Sequence, residues 1–131
     1  MAGFRAARDV LVVEDDKDTV EIIARALSRQ GFRVTMSLNM EDALTDFVRL
    51  DYGLVVTDIF MAGMGGIEGI QKMRALRPKV KILATSAGYS EMTSDAALKA
   101  AEMIGADAIL PKPFSIDDLR AVVEKLFPPE G

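Results

Sequence analysis

Short apolar runs alternate with amphipathic segments along the chain. Four runs bounded by polar or turn residues, at 10–13, 54–56, 80–84 and 108–110, have the length and composition of buried strands. Between them, apolar residues recur at spacings of three and four, which is typical of helices that bury one face. Three such stripes consist of Val20, Ile23, Ala24 and Leu27; of Ala43, Leu44, Phe47 and Val48; and of Ile116, Leu119, Val122, Val123 and Leu126.

The full pattern predicts five strands and five helices. Gly31 is placed to end the first helix, and Asn39 is a candidate N-cap for the second. Alternating strands and helices indicate an α/β fold with a parallel sheet covered on both faces, because each crossover returns to the sheet with a right-handed turn. The predicted strands are 9–13, 32–36, 53–57, 80–85 and 107–110, and the predicted helices are 17–30, 40–50, 66–77, 94–104 and 115–127.

Polar side chains stand at the ends of four of these strands. Glu14 and Asp15 follow the first strand, and Asp58, Ser86 and Lys112 follow the third, fourth and fifth. In parallel α/β sheets, ligand sites form beyond the carboxyl ends of the strands. We therefore expect these side chains to share one site.

Composition excludes several kinds of site. The chain has 131 residues, half of them apolar, which suits one well-cored domain. It contains neither cysteine nor histidine, so thiolate and imidazole chemistry are excluded and any phosphoryl donor must come from another molecule. A net charge of −4 argues against direct nucleic-acid binding. Without a secretory signal or an apolar run that could span a membrane, we expect a cytoplasmic protein with no membrane contact.

The strand-end residues are suited to metal-dependent phosphoryl chemistry. Mg²⁺ prefers oxygen ligands, and Glu14, Asp15 and Asp58 could supply them. Carboxylates about 5 Å apart repel one another by roughly 3 kcal/mol per pair, and a divalent cation relieves that repulsion. Asp58 is best placed to act as a nucleophile toward phosphorus, while Lys112 and Ser86 could contact phosphoryl oxygens as a cation and a hydroxyl donor.

The chain resembles response regulator receiver domains. Four motifs carry the resemblance, and they occur in the family's order: Val10-Leu11-Val12-Val13-Glu14-Asp15, Asp58-Ile59-Phe60-Met61, Ser86-Ala87 and Lys112-Pro113-Phe114. The resemblance implies a flavodoxin-like three-layer sandwich with a five-stranded parallel sheet of order 2-1-3-4-5. It further implies a receiver domain at 9–127, an N-terminal extension at 1–8 and a C-terminal tail at 128–131.

The resemblance also assigns a role to each site residue. Asp58 becomes the phosphoacceptor, Ser86 the switch hydroxyl and Lys112 the phosphate-binding lysine. The implied cofactor is Mg²⁺ or Mn²⁺, and a cis Lys112–Pro113 bond is also implied. The implied metal ligands are Asp15, bound directly; Asp58; Glu14, bound directly or through water; and the backbone carbonyl of Phe60.

The function implied is that of a signalling module rather than a turnover enzyme. A sensor histidine kinase or a histidine phosphotransfer protein would donate the phosphoryl group to Asp58. The domain would catalyse only its own phosphorylation and dephosphorylation. The surface formed by 94–104, 107–110 and 115–127 would then switch toward a downstream protein target.

One loop and one strand residue depart from the family's pattern. The loop after the phosphoacceptor usually reads Met-Pro-x-Met-Asp-Gly, whereas 61–66 read Met-Ala-Gly-Met-Gly-Gly, which predicts a mobile loop. Ile109 stands where the family often has Tyr or Phe, so the aromatic part of the usual switch is missing. We also hypothesise that the Phe60 ring shields the acyl phosphate and slows its hydrolysis.

Three alternatives remain open at this stage. A haloacid-dehalogenase-like phosphatase uses similar residues, but it requires Asp-x-Asp after its first strand, whereas Asp15 is followed by Asp16 and Lys17. A degenerate receiver-like domain would keep the fold and bind proteins without phosphorylation. Thr85 competes with Ser86 for the hydroxyl role; strand alternation and the small Ala87 favour Ser86.

Overall fold

A computed structural model describes residues 8–59, 65–86 and 93–128. It contains five strands and five helices that alternate along the chain. The strands are β1 (Asp9–Val13), β2 (Arg33–Ser37), β3 (Leu54–Asp58), β4 (Lys81–Ser86) and β5 (Ala108–Pro111). The helices are α1 (Lys17–Arg29), α2 (Met40–Arg49), α3 (Gly66–Leu76), α4 (Ser94–Ile104) and α5 (Ile116–Leu126).

The sheet is parallel throughout, and its strand order is β2-β1-β3-β4-β5. This confirms the predicted α/β class, the flavodoxin-like architecture and the order 2-1-3-4-5. Because β1 and β3 lie side by side at the centre, their carboxyl ends open onto the same edge. At that edge lie the predicted site residues that the structure describes: Glu14, Asp15, Asp58, Ser86 and Lys112.

One hydrophobic cluster packs between each face of the sheet and the helices that cover it. One face of the sheet packs against α1 and α5, through residues such as Ile23, Leu27 and Leu119. The other packs against α2, α3 and α4, through residues such as Met40 and Ile70. Each central strand contributes alternate residues to the two clusters, as a strand buried on both faces must.

Two of the predicted helical stripes extend too far. Val48 is 59% exposed and Ile116 is 38% exposed, although both were expected in the core. Successive helical residues are about 100° apart, so Val48 points away once Phe47 has entered the core. Similarly, Ala26 rather than Ala24 is buried on α1.

The helix ends follow the local sequence. Asn39 caps α2, as predicted, by accepting a hydrogen bond from the backbone N–H of Asp42 at 2.7 Å. Gly31 has a φ of 94°, a left-handed conformation that suits glycine just after α1. Four of the five strands, β2 to β5, begin and end one residue later than predicted, so Asp58 and Ser86 are the last residues of β3 and β4. Within the described part of the chain, no helix is long and apolar enough to cross a membrane.

Arg74 joins three segments at the amino-terminal ends of the strands, opposite the site. From α3 it donates hydrogen bonds to the carbonyl oxygens of Gly105, Pro78 and Val80. It also forms a 2.8 Å ion pair with Asp107, whose carboxylate accepts the backbone N–H of Ile82 at 2.8 Å. This network fixes the entry into β4 and the turn before β5. It therefore supports the sheet from the end that lies away from the site.

Candidate functional site

Three carboxylates converge at the carboxyl edge of the sheet. Glu14, Asp15 and Asp58 each offer an oxygen within 4.8 Å of the others, which confirms the spacing assumed from the sequence. The sheet register explains this, because Val13 pairs with Thr57 and the acids come directly after the paired positions. Glu14 and Asp58 are buried, with exposures of 2% and 6%, whereas Asp15 is exposed.

Lys112 reaches this carboxylate cluster from the far side of β4. Its ammonium lies 2.6 Å from Oε1 of Glu14 and 3.0 Å from Oδ2 of Asp58. The backbone N–H of Lys112 donates to the carbonyl of Ser86 at 2.9 Å, which anchors the residue beside the end of β4. The Lys112–Pro113 bond is cis, as the resemblance implied.

Burial and pairing perturb the charges at the site. Burial raises the pKa of Glu14 above its ordinary value of 4.5, although its hydrogen bonds from Lys112 and the backbone of Asp16 oppose the rise. Burial on its own would lower the pKa of Lys112. Its hydrogen bonds to Glu14 and Asp58 outweigh that effect and leave the pKa above 10.5. The protein therefore holds a charged ammonium against carboxylates that repel one another.

Two residues that the sequence analysis did not assign support the site. The backbone N–H of Asp16 donates to Oε2 of Glu14 at 3.1 Å, so both oxygens of Glu14 are engaged. The Asp16 side chain caps α1 by accepting the N–H of Thr19 at 2.9 Å. An acidic residue directly before an amphipathic helix is a recognisable N-cap signal. The hydroxyl of Thr57 donates to the Asp58 carbonyl at 3.1 Å.

The remaining predicted residues lie close to this cluster or outside the described range. Ser86 is fully buried at the end of β4, and Ile109 is buried in β5 with 8% exposure. Thr85 is in register with Asp58, and Ser86 lies one position further along the strand. Phe60 and the loop at 61–64 lie outside the described residues.

The donor set suits a hard divalent cation. Three carboxylates carry three negative charges, and Lys112 offsets only one of them. Mg²⁺ takes one or two protein carboxylates and keeps several water ligands, which an edge with one exposed and two buried carboxylates allows. The residues present therefore fit Mg²⁺.

Comparison with known proteins places this site in a family. Residues 10–124 match the family described as the response regulator receiver domain. This chain belongs to that family. As a receiver domain it is a signalling module of two-component response regulators, and its acidic pocket is the type that binds Mg²⁺ in the family.

Individual relatives agree with this membership. The chain is 36% identical over 122 residues to the transcriptional regulatory protein ZraR of Salmonella typhimurium, covering 93% of this chain and 27% of the relative. The chain thus spans about a quarter of that protein's length. The response regulator TrrA of Thermotoga maritima, solved in complex with Mg²⁺ and BeF, is 32% identical, with a TM-score of 0.77 and coverage of 92% and 99%.

A more distant structure supports the fold alone. The chemotaxis protein CheY4 of Vibrio cholerae has a TM-score of 0.80 at 21% identity, covering 92% of this chain and 99% of its own. The family match also excludes the haloacid-dehalogenase reading. That phosphatase would need an Asp two residues after Asp15, where this chain has Lys17, and Asp16 caps α1.

Proposed function

We propose that this receiver domain accepts a phosphoryl group on Asp58 from the phosphohistidine of a sensor histidine kinase or a histidine phosphotransfer protein. One observation carries the proposal: the Lys112 ammonium bridges Glu14 and Asp58 inside a cluster of three carboxylates. Three converging carboxylates repel one another and would not stabilise a sheet end that had only a structural role. A phosphoryl-transfer site uses the carboxylates to bind a cation and the lysine to contact the phosphoryl group.

The chemistry follows from the positions of the two bridged carboxylates. An Asp58 oxygen attacks the phosphorus in line as the bond from phosphorus to the donor's imidazole nitrogen breaks, which leaves an aspartyl phosphate and a free imidazole. Lys112 is 3.0 Å from Asp58 and can remain beside the new phosphoryl oxygens. Glu14 holds the lysine from the other side. The domain catalyses only this transfer and the later hydrolysis, without turning over a separate substrate.

The proposed metal ligands divide into direct ligands and one that acts through water. Both Glu14 oxygens are already engaged, by Lys112 and by the backbone of Asp16, so Glu14 would act on a bound metal through water. Asp15 and Asp58 would supply direct carboxylate ligands, and the Phe60 carbonyl stays a proposed further ligand. Mg²⁺ or Mn²⁺, when bound, neutralises charge on the transferring group. TrrA, crystallised with Mg²⁺ and BeF, supports Mg²⁺ as the cofactor by similarity.

The end of β4 would transmit phosphorylation of Asp58 to the surface that contacts the downstream protein. Ser86 donates its hydroxyl to the phosphoryl group, and α4, β5 and α5 form the surface that changes. Ile109 cannot supply the aromatic ring that the family often uses. Ser86→Ala should therefore weaken retention of the phosphoryl group more than Thr85→Val, even though Thr85 is the residue in register with Asp58.

We place the receiver domain at 9–127, the N-terminal extension at 1–8 and the tail at 128–131. The C-terminal bound is supported by Phe127, whose ring packs edge-on against Phe32 at 5.8 Å. We further propose a cytoplasmic location, a protein as downstream target, and neither nucleic-acid binding nor membrane contact by this domain.

Intact-mass spectrometry with acetyl phosphate tests the proposal. With Mg²⁺, the protein should gain the mass of one labile phosphoryl group, and neither chelation of the metal nor Asp58→Asn should allow the gain. The exposed Asp18 of α1 provides a matched control, and Asp18→Asn should be phosphorylated normally. A chain that stays unmodified under all conditions would be a degenerate binding module instead.

A further inference from the structure

We infer that Gly66, the first residue of α3, is a positioning residue for the phosphoacceptor, because its missing side chain lets the helix pack directly on the backbone of Asp58. The inference rests on the proposed function. A Cβ at position 66 would lie 3.1 Å from the Asp58 carbonyl carbon, and closer still to the Asp58 carbonyl oxygen and the Ile59 Cα. Ordinary contact with a Cβ begins at 3.4 Å, so no L-amino acid with a side chain fits without movement.

The movement cannot easily be taken up by the sheet. The backbone N–H of Ile59 donates to the Thr85 carbonyl at 3.0 Å, which ties this segment to β4. The Asp58 carbonyl also accepts the Thr57 hydroxyl at 3.1 Å, and Ile59 accepts the N–H of Gly66 at 3.3 Å. The Asp58–Ile59 backbone is thus held between β4 and the start of α3. A methyl group at position 66 would push directly on the residue whose carboxylate must attack in line.

Gly69 supplies a matched control on the same helix. It is also buried, and a Cβ there would also overlap a neighbour. That neighbour is the side chain of Met40, a flexible group that can change rotamer. Alanine raises helix propensity at Gly69, inside α3, and helix propensity does not disfavour it at Gly66, the first residue of α3. The two variants therefore differ mainly in whether the overlap falls on the Asp58 backbone.

Phosphorylation rates with acetyl phosphate and Mg²⁺ separate the two positions. Because a displacement on the order of 1 Å costs about 100-fold in a positioned reaction, Gly66→Ala should slow phosphorylation by about that factor. Gly69→Ala should stay within about twofold of the unmodified protein. Both variants should unfold cooperatively, and Gly66→Ala should also bind Mg²⁺ more weakly, which a merely structural role would not require.

Each outcome decides the inference. Equal rates for Gly66→Ala and Gly69→Ala would overturn it, as would a Gly66→Ala protein that does not fold, because the contact would then serve general packing. The unmodified protein gives a measurement independent of folding: added Mg²⁺ should shift the Gly66 amide resonance more than that of Gly69. The reverse order would also refute the coupling.

Failure of this inference can be told apart from failure of the proposed function. If the unmodified protein is phosphorylated and Gly66→Ala is phosphorylated equally fast, only the positioning role of Gly66 falls. If the unmodified protein takes no phosphoryl group, the proposed function falls. Mg²⁺ affinities of the two glycine variants then still test the geometry, and equal affinities would overturn the positioning role.

Discussion

The Lys112 ammonium lies 3.0 Å from Oδ2 of Asp58, although 54 positions separate the two residues along the chain. The contact exists because β5 and β3 lie on either side of β4 and all three strands run in the same direction. Lys112 spans the end of β4 to reach both Asp58 and Glu14. One flexible cation therefore connects the strands on which the site is built.

Removing the Lys112 ammonium should lower both the free energy of unfolding and the phosphorylation rate. Lys112→Ala leaves the buried carboxylate of Glu14 without its cationic partner, so we expect the free energy of unfolding to fall by about 2 kcal/mol without Mg²⁺. The phosphorylation rate should fall by at least about tenfold. Because the chain lacks tryptophan, urea unfolding is best followed by far-ultraviolet circular dichroism.

The exposed Lys125 of α5 provides the control for Lys112. Lys125→Ala should change the unfolding free energy by no more than about 0.5 kcal/mol and leave phosphorylation unaltered. Equal effects of the two substitutions would show that the position of the Lys112 ammonium is unimportant.

Neutralising Asp15 should have opposite effects on stability and on metal binding. Asp15→Asn removes one of three mutually repelling carboxylates. Because Asp15 is exposed and solvent screens its repulsion, the metal-free protein should become more stable by only about 1 kcal/mol. The same variant should lose most of the stabilisation that Mg²⁺ gives the unmodified protein. Thermal unfolding with and without Mg²⁺ measures both effects. Asp18→Asn should show neither, and a metal-free Asp15→Asn protein that is less stable would contradict the repulsion argument.

The raised pKa of Glu14 predicts how metal-free stability changes with pH. Because the folded state holds this proton more tightly than the unfolded state, the contribution of Glu14 is fully present below about pH 4.5 and is lost as the pH rises through the raised value. Glu14→Gln removes that dependence. The unfolding free energy of the variant, minus that of the unmodified protein, should therefore increase as the pH rises above 4.5.

Urea titrations in the presence of a chelator, at several pH values, test the prediction for Glu14. Glu102, an exposed residue of α4, gives the matched variant, and Glu102→Gln should show no such trend. A difference for Glu14→Gln that decreases with pH would mean that Lys112 lowers the pKa of Glu14 more than burial raises it.

Arg74 should matter for stability and not for chemistry. Arg74→Met removes the donor to the carbonyls of Gly105 and Val80 and the cation beside Asp107, whose carboxylate keeps only the N–H of Ile82; we therefore expect a loss of about 2–3 kcal/mol in unfolding free energy. Lys72→Met, which removes an exposed 3.4 Å pair with Glu68 on the same helix, should cost less than about 0.5 kcal/mol. At temperatures below unfolding, both variants should be phosphorylated at the rate of the unmodified protein. Slower phosphorylation of Arg74→Met would refute the claim that Arg74 acts on stability alone.

Sequence predicted the fold well because each strand and helix carries its own local signal. Apolar runs and their spacing gave all ten elements to within a residue or so at each end. The predicted burial was wrong for Val48 and Ile116, because a helix that packs on one side buries a narrower arc than its apolar residues cover. Such detail depends on which neighbours the helix meets, which local spacing does not contain.

The candidate site was predictable only in part. Strand-end acids and Lys112 follow from topology, since parallel strands bring their carboxyl ends to one edge. The support of Glu14 by the backbone of Asp16 and the close approach of Gly66 to Asp58 depend on distances between separate segments. No periodicity or composition encodes those distances, so they became visible only in the folded chain.

Chemical trapping of the phosphorylated residue shows whether Asp58 is the phosphoacceptor. Borohydride reduces an aspartyl phosphate to homoserine, so protein treated first with Mg²⁺ and acetyl phosphate and then with borohydride can be mapped by peptide mass spectrometry. We expect homoserine at position 58, no homoserine at position 15 and no reduced side chain at Glu14. Reduction at another carboxylate, or no reduction at all in the fully folded protein, would contradict it.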